Sequence, residues 1–210
     1  MEGLVADLRR DGLLSRPEVR RAFLAADRRL FMPGADENAP YEDVPQPIGL
    51  GQTISAPHMV AMMVEALDLR PGLKVLEVGG GSGWHAAVIA SLVRPGGRVV
   101  TVERLGALAE IAVANLARAG FSDTVAVVVG DGSVGYPAEA PFDRISVAAA
   151  APRVPPSLVE QLVPDGGRLL VPVGPPARQE LTEVVTQGGA ARRRNLGGCV
   201  FVPLIGAEGY

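Results

Sequence analysis

The chain is poor in the residues that hold metals, disulfides or nucleic acids. Its 210 residues include one cysteine, Cys199, so neither an internal disulfide nor a cysteine-based zinc site can form. His58 and His85 are the only histidines, which leaves a histidine metal centre short of ligands, and no metal is expected. Lysine occurs once, at Lys74, and arginine carries the rest of the positive charge. The formal net charge is −3, with no basic excess to grip a phosphate backbone. Aromatics are 4% of the residues, too few for a base-stacking platform, so nucleic acid is not an expected partner. Long apolar runs are missing as well. Nothing approaches the roughly 18 residues of a membrane span, and Met1 to Arg10 lack the continuous apolar stretch of a secretion signal. A soluble, cytoplasmic, monomeric protein is the expectation.

What is present suffices for a packed core. Hydrophobic residues make up 48% and charged residues 20%. Residues 1–34 read as helical, with Leu4, Val5 and Leu8 at helical spacing and Ser15-Arg-Pro-Glu18 as a capping box. Pro40, Pro45, Pro47, Gly49 and Gly51 exclude a helix over 35–52 and predict an extended loop. Ser55 sits at an N-cap position, followed by Pro57 and a helix to about Leu69. From Lys74 onward, strands and helices alternate. Strands are predicted at 74–78, 98–103, 124–129, 143–148 and 168–173, and helices at 84–93, 106–119 and 156–162. Two further strands, Leu181–Thr186 and Cys199–Leu204, have no helix between them and predict an antiparallel hairpin on one edge. The expected architecture is a Rossmann-like α/β fold: a mostly parallel seven-stranded sheet with a C-terminal antiparallel hairpin and an N-terminal helical extension. Residues 1–210 are expected to form one domain, with 1–72 supplying the helical and loop region and 73–210 the ligand-binding core.

The centre of that core is Val75-Leu-Glu-Val-Gly-Gly-Gly-Ser-Gly-Trp84. A buried strand running into dense glycine and then a helix is the ligand corner of an open α/β sheet. Glu77-x-Gly79-x-Gly81-x-Gly83 is not the dinucleotide pattern G-x-G-x-x-G, since Trp84 takes the place of its third glycine. It looks like the first motif of the S-adenosylmethionine-dependent methyltransferases. Two acids support a nucleoside ligand. Glu103, ending the second strand, can accept both ribose hydroxyls, and Asp131 in Gly130-Asp-Gly132 can face the adenine amine. Glu77 suits the methionine amino group, the loop amides or a structural role. No Lys or Arg lies within the glycine loop, so a pyrophosphate would meet acids and no cation. A serine hydrolase is excluded, because Ser55 and His58 are three residues apart at a helix start and no G-x-S-x-G surrounds Ser55.

The segment Tyr41 to Val60, with Gly51-Gln-Thr-Ile-Ser-Ala-Pro-His58 at its centre, closely resembles the signature of the protein-L-isoaspartate (D-aspartate) O-methyltransferase family. So do Ala140-Pro-Phe-Asp-Arg-Ile145, Gln161 to Arg168, Pro172-Val-Gly174 and Phe201-Val-Pro-Leu204, from about residue 17 onward in the right order and spacing. The resemblance implies methyl transfer from S-adenosyl-L-methionine to the free carboxyl of L-isoaspartyl or D-aspartyl residues in age-damaged proteins and peptides, leaving S-adenosyl-L-homocysteine. It implies Ser55 as the catalytic serine, with Thr53, Ile54, Ser55 and Val202 against the substrate. It implies a cofactor site of His58, Glu77, Gly79, Gly80, Gly81, Ser82, Gly83, Glu103, Asp131 and Gly132. Gly80 and Trp84 depart from the family's frequent Thr and Tyr, and Ser146-Val-Ala-Ala stands where Val-Thr-Ala-Ala is common. Two alternatives stay open at this level: a carboxyl methyltransferase for one dedicated aspartyl peptide, and a binding protein that keeps the cofactor pocket without turnover.

Overall fold

The computed structural model describes all 210 residues. Two helices open the chain, α1 (Glu2–Arg10) and α2 (Pro17–Ala25), followed by a small hairpin, β1 (Gln46–Gly49) and β2 (Gln52–Ile54), and then α3 (Pro57–Ala66). The α/β core comprises β3 (Lys74–Val78), α4 (Trp84–Val93), β4 (Arg98–Glu103), α5 (Gly106–Arg118), β5 (Val125–Val129), β6 (Arg144–Val147), α6 (Pro156–Glu160) and β7 (Arg168–Val173). A hairpin of β8 (Gln179–Gln187) and β9 (Ala190–Cys199) completes it. The sheet order is β5-β4-β3-β6-β7-β8-β9. The first five of these strands run parallel, and β8 and β9 are antiparallel to their neighbours, as the alternation predicts.

Both faces of the sheet are covered. Val75 and Val99 join a cluster of 33 buried residues on one face, which takes in α4 and the N-terminal helices. Leu76 and Val100 belong to a cluster of 16 on the other, because side chains alternate along a strand. The N-terminal layer is fastened to α4 through Trp84. Its ring meets Phe23 edge-on at 5.7 Å, and its Nε1 donates to Ala26 O at 2.9 Å. Trp84 therefore packs the N-terminal layer against α4 while also lining a small pocket beside the glycine loop.

Three local expectations are corrected. Ser15 does not begin a capping box: the N-cap of α2 is Arg16 without a side-chain bond, and the amides of Ser15 and Arg16 donate to Glu65 Oε1 on α3 instead. Ser55 does not cap α3 either. The N-cap is Ala56, and the His58 amide donates to Asp43 Oδ1 at 2.8 Å. The last strand is 190–199 and not 199–204. Its arginines and glycines read as a loop, but at a sheet edge one ladder with β8 is enough to order a polar, exposed strand. Residues 201–204 run back over the sheet, with Ala150 N donating to Val202 O and Leu204 N to Ala150 O, both at 2.8 Å.

Candidate active site

The loop 79–83 leaves β3 and turns sharply into α4. Gly79, Gly81 and Gly83 have φ of 90°, 52° and 89°, a region only glycine occupies without strain. Gly80 is needed for another reason: a Cβ there would stand 2.6 Å from Thr101 Oγ1, so the hydroxyl of Thr101 fills the space a larger residue would take. Glu103, at the end of β4, is 7% exposed. Its Oε2 accepts the Gly81 amide and its Oε1 the Leu105 amide, each at 2.9 Å. The carboxylate is thereby fixed beside the glycine loop, with acceptor capacity left for two more donors.

These residues wall a cavity of about 260 Å³, closed by Gly132 on one side and by Val202 to Ile205 on the other. A Cβ on Gly132 would come within 2.5 Å of Val78, so the wall depends on glycine there. The lining fits an adenosyl group: a held carboxylate for a ribose diol, close backbone and no cation in the glycine loop. A second, wider cavity of about 730 Å³ is lined by Ser55, His58, Met59 and residues 198–202. Thr53, Ala148 and Val202 line both cavities, so the two abut. A small pocket between them, about 40 Å³, touches Ile54, Ser55, Gly80, Ser82 and His85.

The expected site residues thus separate into groups. Gly79, Gly81, Glu103 and Gly132 meet at the first cavity, joined there by Thr53 and Val202. Ser55 lies in the second and in the junction pocket, half-buried, with its hydroxyl free of any bond within the chain. Ile54, Gly80 and Ser82 reach only the junction pocket. Gly83 packs against Leu116 of α5. His58 faces the second cavity rather than the first, and its Nδ1 sits 3.0 Å from Asp43 Oδ1. Asp131 does not line the first cavity. Burial favours its neutral form, but bonds from the Ala207 amide and from the Ser133 hydroxyl and amide outweigh this and hold its pKa low. Its carboxylate fastens the C-terminal tail beside the cavity.

Glu77 is also removed from both cavities. The sheet register sets Thr101, Glu77 and Ser146 side by side across β4, β3 and β6, all fully buried behind the glycine loop. Thr101 Oγ1 donates to Glu77 Oε2 at 2.5 Å, and His85 Nδ1 on α4 is 3.5 Å from Glu77 Oε1. Burial pushes the Glu77 carboxyl up to about 8; Glu103 adds to this and the Thr101 bond opposes it. Burial pulls His85 down to about 4. At neutral pH the contact is therefore one between two mainly uncharged groups and not an ion pair.

This pair shapes stability against pH. Glu77, raised in the fold, contributes stability that is lost as pH climbs from 4.5 through about 8. His85, lowered in the fold, contributes stability that is lost as pH falls from 6.5 through about 4. Between 4.5 and 6.5 the two proton counts cancel, so only the range from 6.5 to about 8 carries a net loss with rising pH. There, the wild type is expected to lose about 1.4 kcal/mol of stability per pH unit relative to Glu77→Gln, which carries no titrating proton. Urea midpoints of the two proteins at several pH values from 6 to 8.5 check this; parallel profiles would mean that Glu77 is already ionised in the fold.

Sequence reasoning missed Arg28. It is fully buried, and its guanidinium donates to the carbonyls of Pro40, Glu42, Val44 and Ser55 at 3.0–3.2 Å while lying 5.1 Å over the Trp84 ring. One side chain thus shapes the loop 40–44 and fixes the backbone of the serine. The clue in the sequence was indirect: a proline-rich loop without secondary structure must find donors for its carbonyls somewhere.

Residues 1–209 match the profile of the family described as protein-L-isoaspartate(D-aspartate) O-methyltransferase. A protein-L-isoaspartate O-methyltransferase of Methanopyrus kandleri is 56% identical over 210 residues, covering 100% of this chain and 92% of the relative. A solved protein-L-isoaspartate O-methyltransferase superimposes with a TM-score of 0.89 at 31% identity, covering 99% of this chain and 67% of the other. A Plasmodium falciparum structure, described as a protein-L-isoaspartate O-methyltransferase in complex with S-adenosyl-L-homocysteine, gives a TM-score of 0.85 at 28% identity over 97% of both chains. With the glycine corner, the fixed Glu103 and the abutting serine cavity in place, the chain belongs to the protein-L-isoaspartate (D-aspartate) O-methyltransferase family.

Proposed function

We propose that the chain methylates the free carboxyl of L-isoaspartyl residues, and of D-aspartyl residues, in damaged proteins and peptides. The observation that carries this is the junction at Thr53, Ala148 and Val202, where the glycine-loop cavity meets the cavity holding Ser55. Gly79, Gly81, Glu103 and Gly132 would hold S-adenosylmethionine, which supplies an electrophilic methyl on a sulfonium leaving group. An acceptor carboxylate ionises near about pH 4 and is already a nucleophile at neutral pH. The chain then needs to position it and to exclude water, with no strong base. The unbonded hydroxyl of Ser55 is a donor available to a carboxylate there, and residues 198–202 line the same cavity. The resulting ester closes to a succinimide that opens in part to ordinary aspartate.

The same reading takes the protein as a cytoplasmic monomer that acts without nucleic acid or metal. No helix is long and apolar enough to cross a membrane.

The test is methyl incorporation into an isoaspartyl peptide and its aspartyl twin. The first should be labelled and the second hardly at all; equal labelling would sink the proposal. Ser55→Ala should lower kcat by at least about tenfold, as for the loss of one bond to a charged group, while donor affinity stays within about twofold. A variant indistinguishable from wild type would remove Ser55 from catalysis.

A further inference from the structure

The acceptor cavity has one permanent charge on its wall. Among the residues lining it, Arg178 is the only Lys or Arg, and no Asp or Glu lines it. The rest of the lining is largely apolar, including Pro45, Met59, Val200 and Phe201. Ser55 lies half-buried within, whereas Arg178 is exposed at the rim, on the connection from β7 to β8. Its guanidinium takes part in none of the chain's ion pairs. Other arginines on the surface are engaged, as Arg194 is with Glu183 and Arg98 with Glu139, whereas Arg178 is left to meet a ligand at the cavity it lines.

The connection that carries it is held in place. Gln179, 1% exposed, donates through Nε2 to the carbonyls of Pro175 and Pro176 and accepts the Phe201 amide at 2.7 Å. The Arg178 amide donates to Pro175 O at 3.0 Å, and Gly174 N to Ala151 O at 3.0 Å. The turn bearing Arg178 is thus tied to Phe201, which lines the same cavity. A peptide placing its reactive carboxylate at Ser55 would occupy the cavity that Arg178 also lines.

We propose that Arg178 is a specificity-determining residue, selecting acceptors that carry a second carboxylate beside the residue to be methylated. This rests on the carboxyl-methylation reading of the same cavity. The chemistry is a guanidinium–carboxylate pair formed at a rim beside apolar walls. A flanking Glu or Asp gains this contact; a Lys or Arg meets like charge.

The test uses two isoaspartyl peptides, identical except for Glu or Gln next to the isoaspartyl residue, made in both orientations. Wild type should show kcat/KM about three- to fivefold higher for the Glu peptide in at least one orientation, the range of a partly exposed ion pair. The preference should shrink between about 0.05 M and about 0.5 M salt. Arg178→Gln should abolish the ratio and Arg178→Glu should invert it. Damage to the fold lowers both peptides alike, so the ratio within one variant reads only the charge contact. Equal use of both peptides by wild type, or an unchanged ratio in Arg178→Gln, overturns the proposal while leaving methylation intact. Failure of wild type to methylate either peptide overturns the carboxyl-methylation reading, and this proposal with it.

Discussion

Replacing Arg28 with methionine is expected to lower stability by about 3–5 kcal/mol, the range for breaking a buried charged network, and to reduce methyl transfer at least tenfold. Methionine keeps much of the length and the apolar contact with Trp84, so the loss is of hydrogen bonds more than of volume. Four carbonyls, those of Pro40, Glu42, Val44 and Ser55, lose their donor at once. A buried unsatisfied carbonyl costs about 1–3 kcal/mol, but the loop 40–44 can peel outward to reach water, which limits the sum. That escape is what damages activity, because the same movement frees the Ser55 backbone and the Asp43 carboxylate that receives the His58 amide. Arg28→Lys should fall between the two, since one ammonium cannot span four acceptors arranged for a planar fork. Burial lowers the Arg28 pKa to about 10, against the opposing pull of Asp43 and Glu42, so the group stays charged throughout the usual assay range. Urea midpoints and initial rates for the three proteins check this. If Arg28→Met keeps wild-type midpoint and rate, the carbonyls are satisfied by water and the residue is not the clasp described.

The alternation from Lys74 to Val173 was legible because the inner strands are buried on both faces and each turn is marked by Gly or Pro. Such strands appear as short unbroken apolar runs, and the structure places them within a residue or two of expectation. The edge hairpin was legible in kind but not in extent. β9 carries Arg192, Arg193 and Arg194 and little apolar surface, so its existence depends on the ladder with β8, which no local pattern encodes. Caps failed for a similar reason. Ser15 and Ser55 both occupy good cap positions, yet Glu65 and Asp43, distant in the chain, satisfy those amides. For the site, the glycine turn and Glu103 could be read from type and spacing, and the structure brings them to one cavity with Gly132. Asp131 and Glu77 could not be placed so. Their side-chain directions depend on the tail at Ala207 and on the lateral register of β4, β3 and β6. Arg28 was opaque because its partners are carbonyls, and every residue has one.

Glu103→Ala should weaken binding of S-adenosylhomocysteine about a hundredfold, with methyl transfer at subsaturating donor falling in proportion. The carboxylate at that position has two jobs. It accepts the amides of Gly81 and Leu105, fixing the glycine loop to the end of β4. Its remaining lone pairs face the cavity, where a ribose diol would donate two hydrogen bonds to a charged acceptor, each of about 1.5–3 kcal/mol. Glu103→Gln should recover little, because its amide nitrogen would face one of the two backbone N–H groups that the carboxylate now receives. Loss of affinity alone does not separate the direct contact from a loosened loop. A cycle with the 2′-deoxy form of the product does. Against wild type, removing the 2′-hydroxyl should cost about tenfold in affinity, as for one bond to a charged group. Against Glu103→Ala, the same removal should change affinity by less than about twofold, since no carboxylate remains to accept it. Calorimetry on the four combinations gives the coupling directly. If the deoxy penalty is the same in both proteins, Glu103 only braces the glycine loop, and the diol is bound elsewhere in the cavity.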